Sequence, residues 1–403
     1  MIQAGIGPIG LDYPDKQFGG KVNKYKIAVL GAGNAGLTFA GDLTLGGHCV
    51  NLCELPDLES RFIPIRESEG RIEMAGACRN GIAKLNLFTT NLEQGLNGVE
   101  IILIASPAYR HHSFAEAICP YLRAGQMIVL NPGYSFGAVE VANIFKKNGL
   151  NLNQVLVGST VALVYGTRKY CGNKVYANAV KAKVPFTAFP AKNTEKMVGR
   201  LNHIFPQEDG KRGILIPTDN ELKTTLENIN PPAHVPMMIL KAVYVELGEE
   251  PYDKCDKSNA VKCLLKAINQ ETLAITNAFG LEPLSYEIVH DVLMYPYWLR
   301  LPRVTDRPIW AVPENMAWEY TSKANLLNMR YLHEDIPYGL VTISELGKMV
   351  NVPTLAIDSV ITLASIITDT DFRLKGRTLE RLGLRGMSRE DLLRFLNHGW
   401  TNS

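Results

Sequence analysis

An α/β domain followed by a mostly α-helical one is the architecture the sequence predicts, on three observations. Short apolar runs suited to buried strands recur between residues 26 and 189, separated by helical segments. After residue 214 these runs give way to apolar residues at helical spacing. The first run feeds into "GAGNAG", which places the first part in the Rossmann dinucleotide-binding class. The expected division is an irregular N-terminal extension over 1–23, the Rossmann domain over 24–205 and the helical domain over 206–403, with "PQEDGKRG" as the linker.

In "KIAVLGAGNAG" the strand Ile27–Leu30 runs into Gly31, Gly33 and Gly36, which fit GxGxxG. The first glycine turns the chain tightly, the second admits a pyrophosphate, and the third lets the next helix press on the sheet. Asn34 and Ala35 open that helix, so their amides face the phosphates. "HCVNLCE" reads as the second strand and ends in Glu54. Its carboxylate is either a ribose-hydroxyl acceptor or a solvated strand end. The ribose role favours NAD over NADP, because Leu55 and Pro56 supply no cation for a 2′-phosphate.

"VEIILIASPAY" and "QMIVLNPGYSFG" are further strands, ending at Ser106–Pro107 and Pro132–Gly133. Ligands of parallel α/β sheets sit beyond the carboxyl ends of strands, so these turns should cover the cofactor and face the substrate. His111 and His112 read as exposed helix residues with no metal spacing around them. "QVLVGSTVAL" and "KVPFTAFPA" continue the sheet, and Met197, Leu201 and Ile204 share one face of a helix over 193–205.

In the second part, Val261, Leu264, Leu265, Ile268, Ile275 and Phe279 keep one helix face apolar, with Ser258 as N-cap and Gly280 just past the end. "TISE" (342–345) and "SRED" (388–391) are capping-box sequences. A cleft between the two domains is the expected ligand site.

Composition bounds the function classes. Hydrophobic residues are 46% and charged residues 20% of 403, an ordinary globular balance. A net charge of +2 gives no bulk attraction to nucleic acid or to an anionic membrane. Seven scattered cysteines without a CxxC pair fit reduced thiols in the cytoplasm. The N-terminal stretch lacks the pattern of a signal peptide, and the greasiest segment, 355–367, is too short and too polar to span a bilayer. The expected partners are small molecules, with a homodimer through apolar helical faces.

A nicotinamide cofactor carries hydride, so the protein must supply a proton donor titrating near neutrality and a cation for the substrate. Of the eight histidines, His234 in "NINPPAHVP" sits at a proline-stiffened turn just past the domain junction, while His398 lies near a disordered-looking C-terminus. His234 is either that donor or a structural turn histidine.

"NINPPAHVP", "GAGNAG", "FTAFPAKN" and "RYLHEDIPYGL" together resemble the NAD/NADP octopine and nopaline dehydrogenase family, the opine dehydrogenases, over about residues 25 to 370. The resemblance implies a helical domain of the 6-phosphogluconate dehydrogenase C-terminal type. It also implies NAD(P)H-dependent reductive condensation of a 2-keto acid, such as pyruvate, with the amino group of an amino acid. His234 matches the family's catalytic histidine, Asp335 the aspartate that pairs with it, and Arg330 the arginine that takes the keto-acid carboxylate. Thr160 matches a substrate contact. Where the family commonly has a Glu-Thr pair, this chain has Ser159 before Thr160, and a serine cannot neutralise a guanidinium, so octopine is not the expected product. The second reading on the same architecture is an amine-free reductase resembling ketopantoate reductase or glycerol-3-phosphate dehydrogenase.

Overall fold

Apolar runs too short for helices pair side by side to form the sheet on which the site is built. The computed structural model describes residues 24–205, 213–247, 258–295 and 330–400. The extension over 1–23 and all but the last residue of the expected linker lie outside the described residues.

Eight strands form the main sheet: β1 (Lys26–Leu30), β2 (Cys49–Cys53), β5 (Leu87–Thr89), β6 (Ile101–Ile104), β7 (Met127–Leu130), β8 (Leu156–Thr160), β11 (Val184–Phe189) and β12 (Leu215–Pro217). Their spatial order is β12-β11-β8-β7-β6-β1-β2-β5, parallel except where β11 runs against β8. The chain goes from β1 to β2 on one side and returns to β6 on the other. This creates the switch point outside which such sheets bind ligands. The residues of β6 and β7 are buried throughout, as expected of strands covered on both faces. A second sheet, β4-β3-β10-β9, joins β3 (Arg71–Gly76), β4 (Gly81–Lys84), β9 (Tyr165–Cys171) and β10 (Lys174–Val180).

The sheet continues past residue 205, because β12 pairs with β11; the helices proper begin at Glu221. They include Asn230–Leu240, Asn259–Ala278, Val341–Met349, Leu355–Ile367 and Arg389–His398. No helix among the described residues is long and apolar enough to cross a membrane. One core cluster runs from Ile104 and Leu130 of the sheet to Val235, Leu332 and Ile336 of the helical part, so the two parts pack on a shared apolar seam.

Two caps read from sequence form as expected. Ser258 accepts from the Val261 amide, and Ser388 accepts from that of Asp391. Several other expectations fail for tertiary reasons. Thr342 caps nothing, since the helix continues from the preceding turn and the Thr342 hydroxyl donates to the Arg377 carbonyl at 2.6 Å. His111 is fully buried rather than exposed, 3.3 Å from a buried Arg377 guanidinium that comes from the far end of the chain. The C-terminal stretch around His398 is an ordered helix.

Candidate active site

The site begins at the glycine loop. Gly31 holds a φ of +105°, and a Cβ there would meet the Ala105 carbonyl oxygen at 2.9 Å. A Cβ at Gly36 would collide with the Gly31 carbonyl. Those two glycines are demanded by the protein itself. A Cβ at Gly33 would meet nothing within 4 Å, so the fold alone gives no reason for glycine there. The space in front of Gly33 suits a group that must approach the backbone, and the helix Asn34–Leu45 starts there without a side-chain cap. The β6 turn lies alongside, with the Ser106 Cβ 3.6 Å from the position a Gly31 Cβ would take. Gly31, Gly33, Asn34, Ala35 and Gly36 thus form one turn and helix start, with the Ser106–Pro107 turn after β6 beside it.

Glu54 is not the solvated strand end that was the second expectation. Its side chain is fully buried, with Oε2 accepting from the Ala32 amide at 2.8 Å and Oε1 from its neighbour Leu55 at 3.0 Å. The Arg61 guanidinium then lies over Oε2 at 3.1 Å. Leu55 and Pro56 indeed carry no charge, but the short helical turn Pro56–Phe62 brings a cation back to the same place. Sequence distance hid it.

Across the seam, His234 is not in a turn. It stands in the first turns of the helix Asn230–Leu240, which Pro231 and Pro232 open, positions where a missing amide costs nothing. Its Nδ1 lies 2.7 Å from Oδ2 of Asp335, and its ring packs on Tyr331 with centroids 4.3 Å apart. Asp335 is only 1% exposed, whereas His234 is 14% exposed, so the carboxylate is screened from water while the imidazole reaches the cleft edge.

Tyr134 completes the array, and no sequence signal marked it. Its hydroxyl donates to Oδ1 of Asp335 at 3.0 Å. Burial, reinforced by the Asp335 and Glu334 charges, pushes the phenol well above its usual range, so it remains a donor. Tyr134 holds a φ of +54°, a strained value for a tyrosine that the surrounding contacts must maintain. The sequence sign, available only in hindsight, is the "NPGYSFG" turn at a strand's carboxyl end.

Glu334 was also missed. Its Oε1 accepts from the Ala108 amide at 2.6 Å, and Arg330 stands 4.0 Å from its other oxygen. Burial raises its carboxyl to about 7, against the lowering effect of Arg330. Arg330 itself is half-exposed, with its guanidinium 5.6 Å above the Tyr331 ring, so a carboxylate can reach it. The seam is fastened by Arg377, which donates to the carbonyls of Gly133, Ser135 and Ala108 and pairs with Glu140 at 2.5 Å.

Thr160 is 1% exposed, with its hydroxyl 3.5 Å from the Leu130 carbonyl and its own carbonyl accepting from the Gly133 amide. It shapes the β7 turn and makes no direct contact with His234 or Arg330. Ser159 is fully buried and donates to buried Glu221 at 2.6 Å. That carboxylate also caps the helix Gly137–Lys147 through the amides of Ala138 and Val139.

Residues 217–368 match the family model for the alpha-helical domain of NAD/NADP octopine/nopaline dehydrogenase. The chain is 34% identical to an opine dehydrogenase of Arthrobacter sp. strain 1C over 362 residues, which is 90% of this chain and 96% of the relative. The fold matches octopine dehydrogenase solved with NADH and L-arginine, with a TM-score of 0.66, 16% identity and coverage of 94% of this chain and 99% of that one. It also matches yersinopine dehydrogenase with NADP+ bound, with a TM-score of 0.63, 16% identity and the same coverage. The chain belongs to the NAD/NADP octopine and nopaline dehydrogenase family, NAD(P)-dependent oxidoreductases that join a keto acid to an amino acid by reductive condensation.

Proposed function

We propose that this chain condenses a pyruvate-like 2-keto acid with the amino group of an amino acid, with His234 moving the proton. The observation that carries the reading is the 2.7 Å contact between His234 and a buried Asp335, on a segment that the Ala108 amide ties to the β6 turn through Glu334. Such a pair suits acid–base work, because the carboxylate holds Nδ1–H in place and stabilises the imidazolium. A bound nicotinamide cofactor would supply hydride to the imine carbon, its phosphates held by the amides of Gly33, Asn34 and Ala35 over the turn that Gly31 and Gly36 make possible, with Ser106 and Pro107 covering it.

Arg330 takes the keto-acid carboxylate in a two-pronged hydrogen bond and fixes the reacting carbon. Amine and carbonyl lose water to form the imine. His234, through Nε2, then gives its proton to the nitrogen as that carbon is reduced. Tyr134 keeps Asp335 oriented throughout. Thr160 acts through the turn it supports.

NADH and NADPH oxidation by pyruvate, with and without pooled amino acids, tests this reading. Amine-dependent oxidation that disappears in His234→Ala supports it. Oxidation indifferent to amines would favour the ketopantoate-reductase-like or glycerol-3-phosphate-dehydrogenase-like alternative. No nucleic-acid partner belongs to this reading, given the net charge of +2. A homodimer and a cytoplasmic location do belong to it. Support comes from the exposed Leu240, Val243, Tyr244 and Leu247 and from the free thiols of Cys49, Cys53, Cys78, Cys119 and Cys263. Sedimentation equilibrium checks the former.

A further inference from the structure

Lys181 sits where the reaction scheme still lacks a partner. It precedes β11, which runs antiparallel to β8 with Phe186 opposite Thr160, so Lys181 lies beyond the carboxyl edge of the sheet, where the ligand crevice is. Its amide donates to the Val164 carbonyl at 2.9 Å, and the Val164 amide donates to Oδ1 of Asn131 at 3.1 Å. Asn131 heads the turn that carries Tyr134. The lysine is thereby wired to the same turn as the His234–Asp335 array.

The side chain is only 5% exposed, yet no carboxylate pairs with it among the described residues. Its ammonium has the Tyr295 ring 5.5 Å away. A ring face replaces little of the hydration lost on burial, and a buried cation without an anion is costly. The Nδ2 of Asn131 is a second buried donor without an acceptor on the same patch. Arg330 is near enough for its charge to act on Lys181, and together with burial it lowers the lysine to about 7. Lys181 and Arg330 are therefore two basic side chains on the same side of the sheet's carboxyl edge.

We propose that Lys181 is the second carboxylate-binding residue of the substrate cleft, taking the carboxylate of the amino-acid partner while Arg330 takes that of the keto acid. The proposal rests on the condensation reading above, whose product is a secondary amine with two carboxylates. An anion supplied by the substrate completes the ion pair that the described residues leave open, and it does so only for amines that carry a carboxylate. Lys181 thus sets the preference for amino acids over simple amines.

Iminodiacetate, the smallest secondary amine with two carboxylates, and N-methylglycine, which has one, are the probes. Their binding to the NAD+ complex of the wild type, Lys181→Met and Lys181→Arg is measured by titration calorimetry. The wild type is expected to bind iminodiacetate about tenfold more tightly than N-methylglycine, in line with one charge-assisted carboxylate contact. Lys181→Met should erase that gap and leave N-methylglycine unchanged, and Lys181→Arg should restore much of it. Methionine fills similar space and removes an uncompensated buried charge, so its melting temperature should match or exceed that of the wild type.

A gap that survives in Lys181→Met would overturn the assignment, as would equal loss of both probes or a wild type that does not discriminate. Failure of the condensation reading has a separate signature, the absence of amine-dependent NAD(P)H oxidation in the wild type.

Discussion

Replacing Asp335 by asparagine keeps the shape of the array and removes one charge. In the structure, Oδ2 of Asp335 faces His234 Nδ1 at 2.7 Å and Oδ1 accepts from Tyr134 at 3.0 Å. The introduced amide can keep the Tyr134 hydrogen bond with its carbonyl, which turns its NH2 toward Nδ1. Two donors cannot share that contact, so the imidazole must present a bare Nδ1 and carry its proton on Nε2. It can then no longer become the doubly protonated donor without a clash. The lost charge-assisted hydrogen bond alone is about 1.5–3 kcal/mol, or roughly 10- to 150-fold in rate. The wrong tautomer adds to this, and comparable pairs lose about 10⁴-fold. The expected fall in kcat for Asp335→Asn is therefore on the order of 10²–10⁴, with KM for the keto acid nearly unchanged because Arg330 is untouched. Steady-state oxidation of NAD(P)H at saturating substrates measures it, with circular dichroism to confirm the fold. A kcat within about threefold of wild type would refute the assignment of His234 as the proton donor oriented by Asp335.

Glu334→Gln should stabilise the protein in a pH-dependent way. Burial raises this carboxyl from 4.5 to about 7, so the folded state favours its protonated form. Its contribution is fully present below 4.5 and is lost as pH rises through about 7. The variant's advantage should accordingly grow over that window to about 3 kcal/mol; denaturant titrations at pH 5 and 8 giving the same difference would contradict it. Arg61→Ala should raise KM for NADPH by roughly tenfold while leaving NADH within about threefold, and an equal change for both cofactors would remove Arg61 from the 2′-phosphate. Ser159→Ala should cost about 1–3 kcal/mol of stability, because Glu221 loses a buried donor, while the ranking of amino-acid substrates stays the same. A changed ranking would put Ser159 back in the pocket.

Much of the cofactor side was legible because it is local. Gly31, Gly33 and Gly36 act within one turn, and the runs at 27–30, 101–104 and 127–130 contain little but strand-forming residues. Caps such as Ser258 need only three residues of context. His234 was singled out by its proline-rich setting, but the same prolines suggested a turn, whereas Pro231 and Pro232 open a helix.

The sequence by itself determined the order of elements, the phosphate-facing loop and, through motif resemblance, the pairing of His234 with Asp335. The tertiary structure alone decided which distant groups share low-dielectric space. It put Tyr134 on Asp335, Arg61 over Glu54, Arg377 against His111 and Lys181 within reach of Arg330. The reason is physical: strand pairing and helix capping act between near neighbours, while desolvation and charge coupling depend on which residues packing brings together, whatever their separation along the chain.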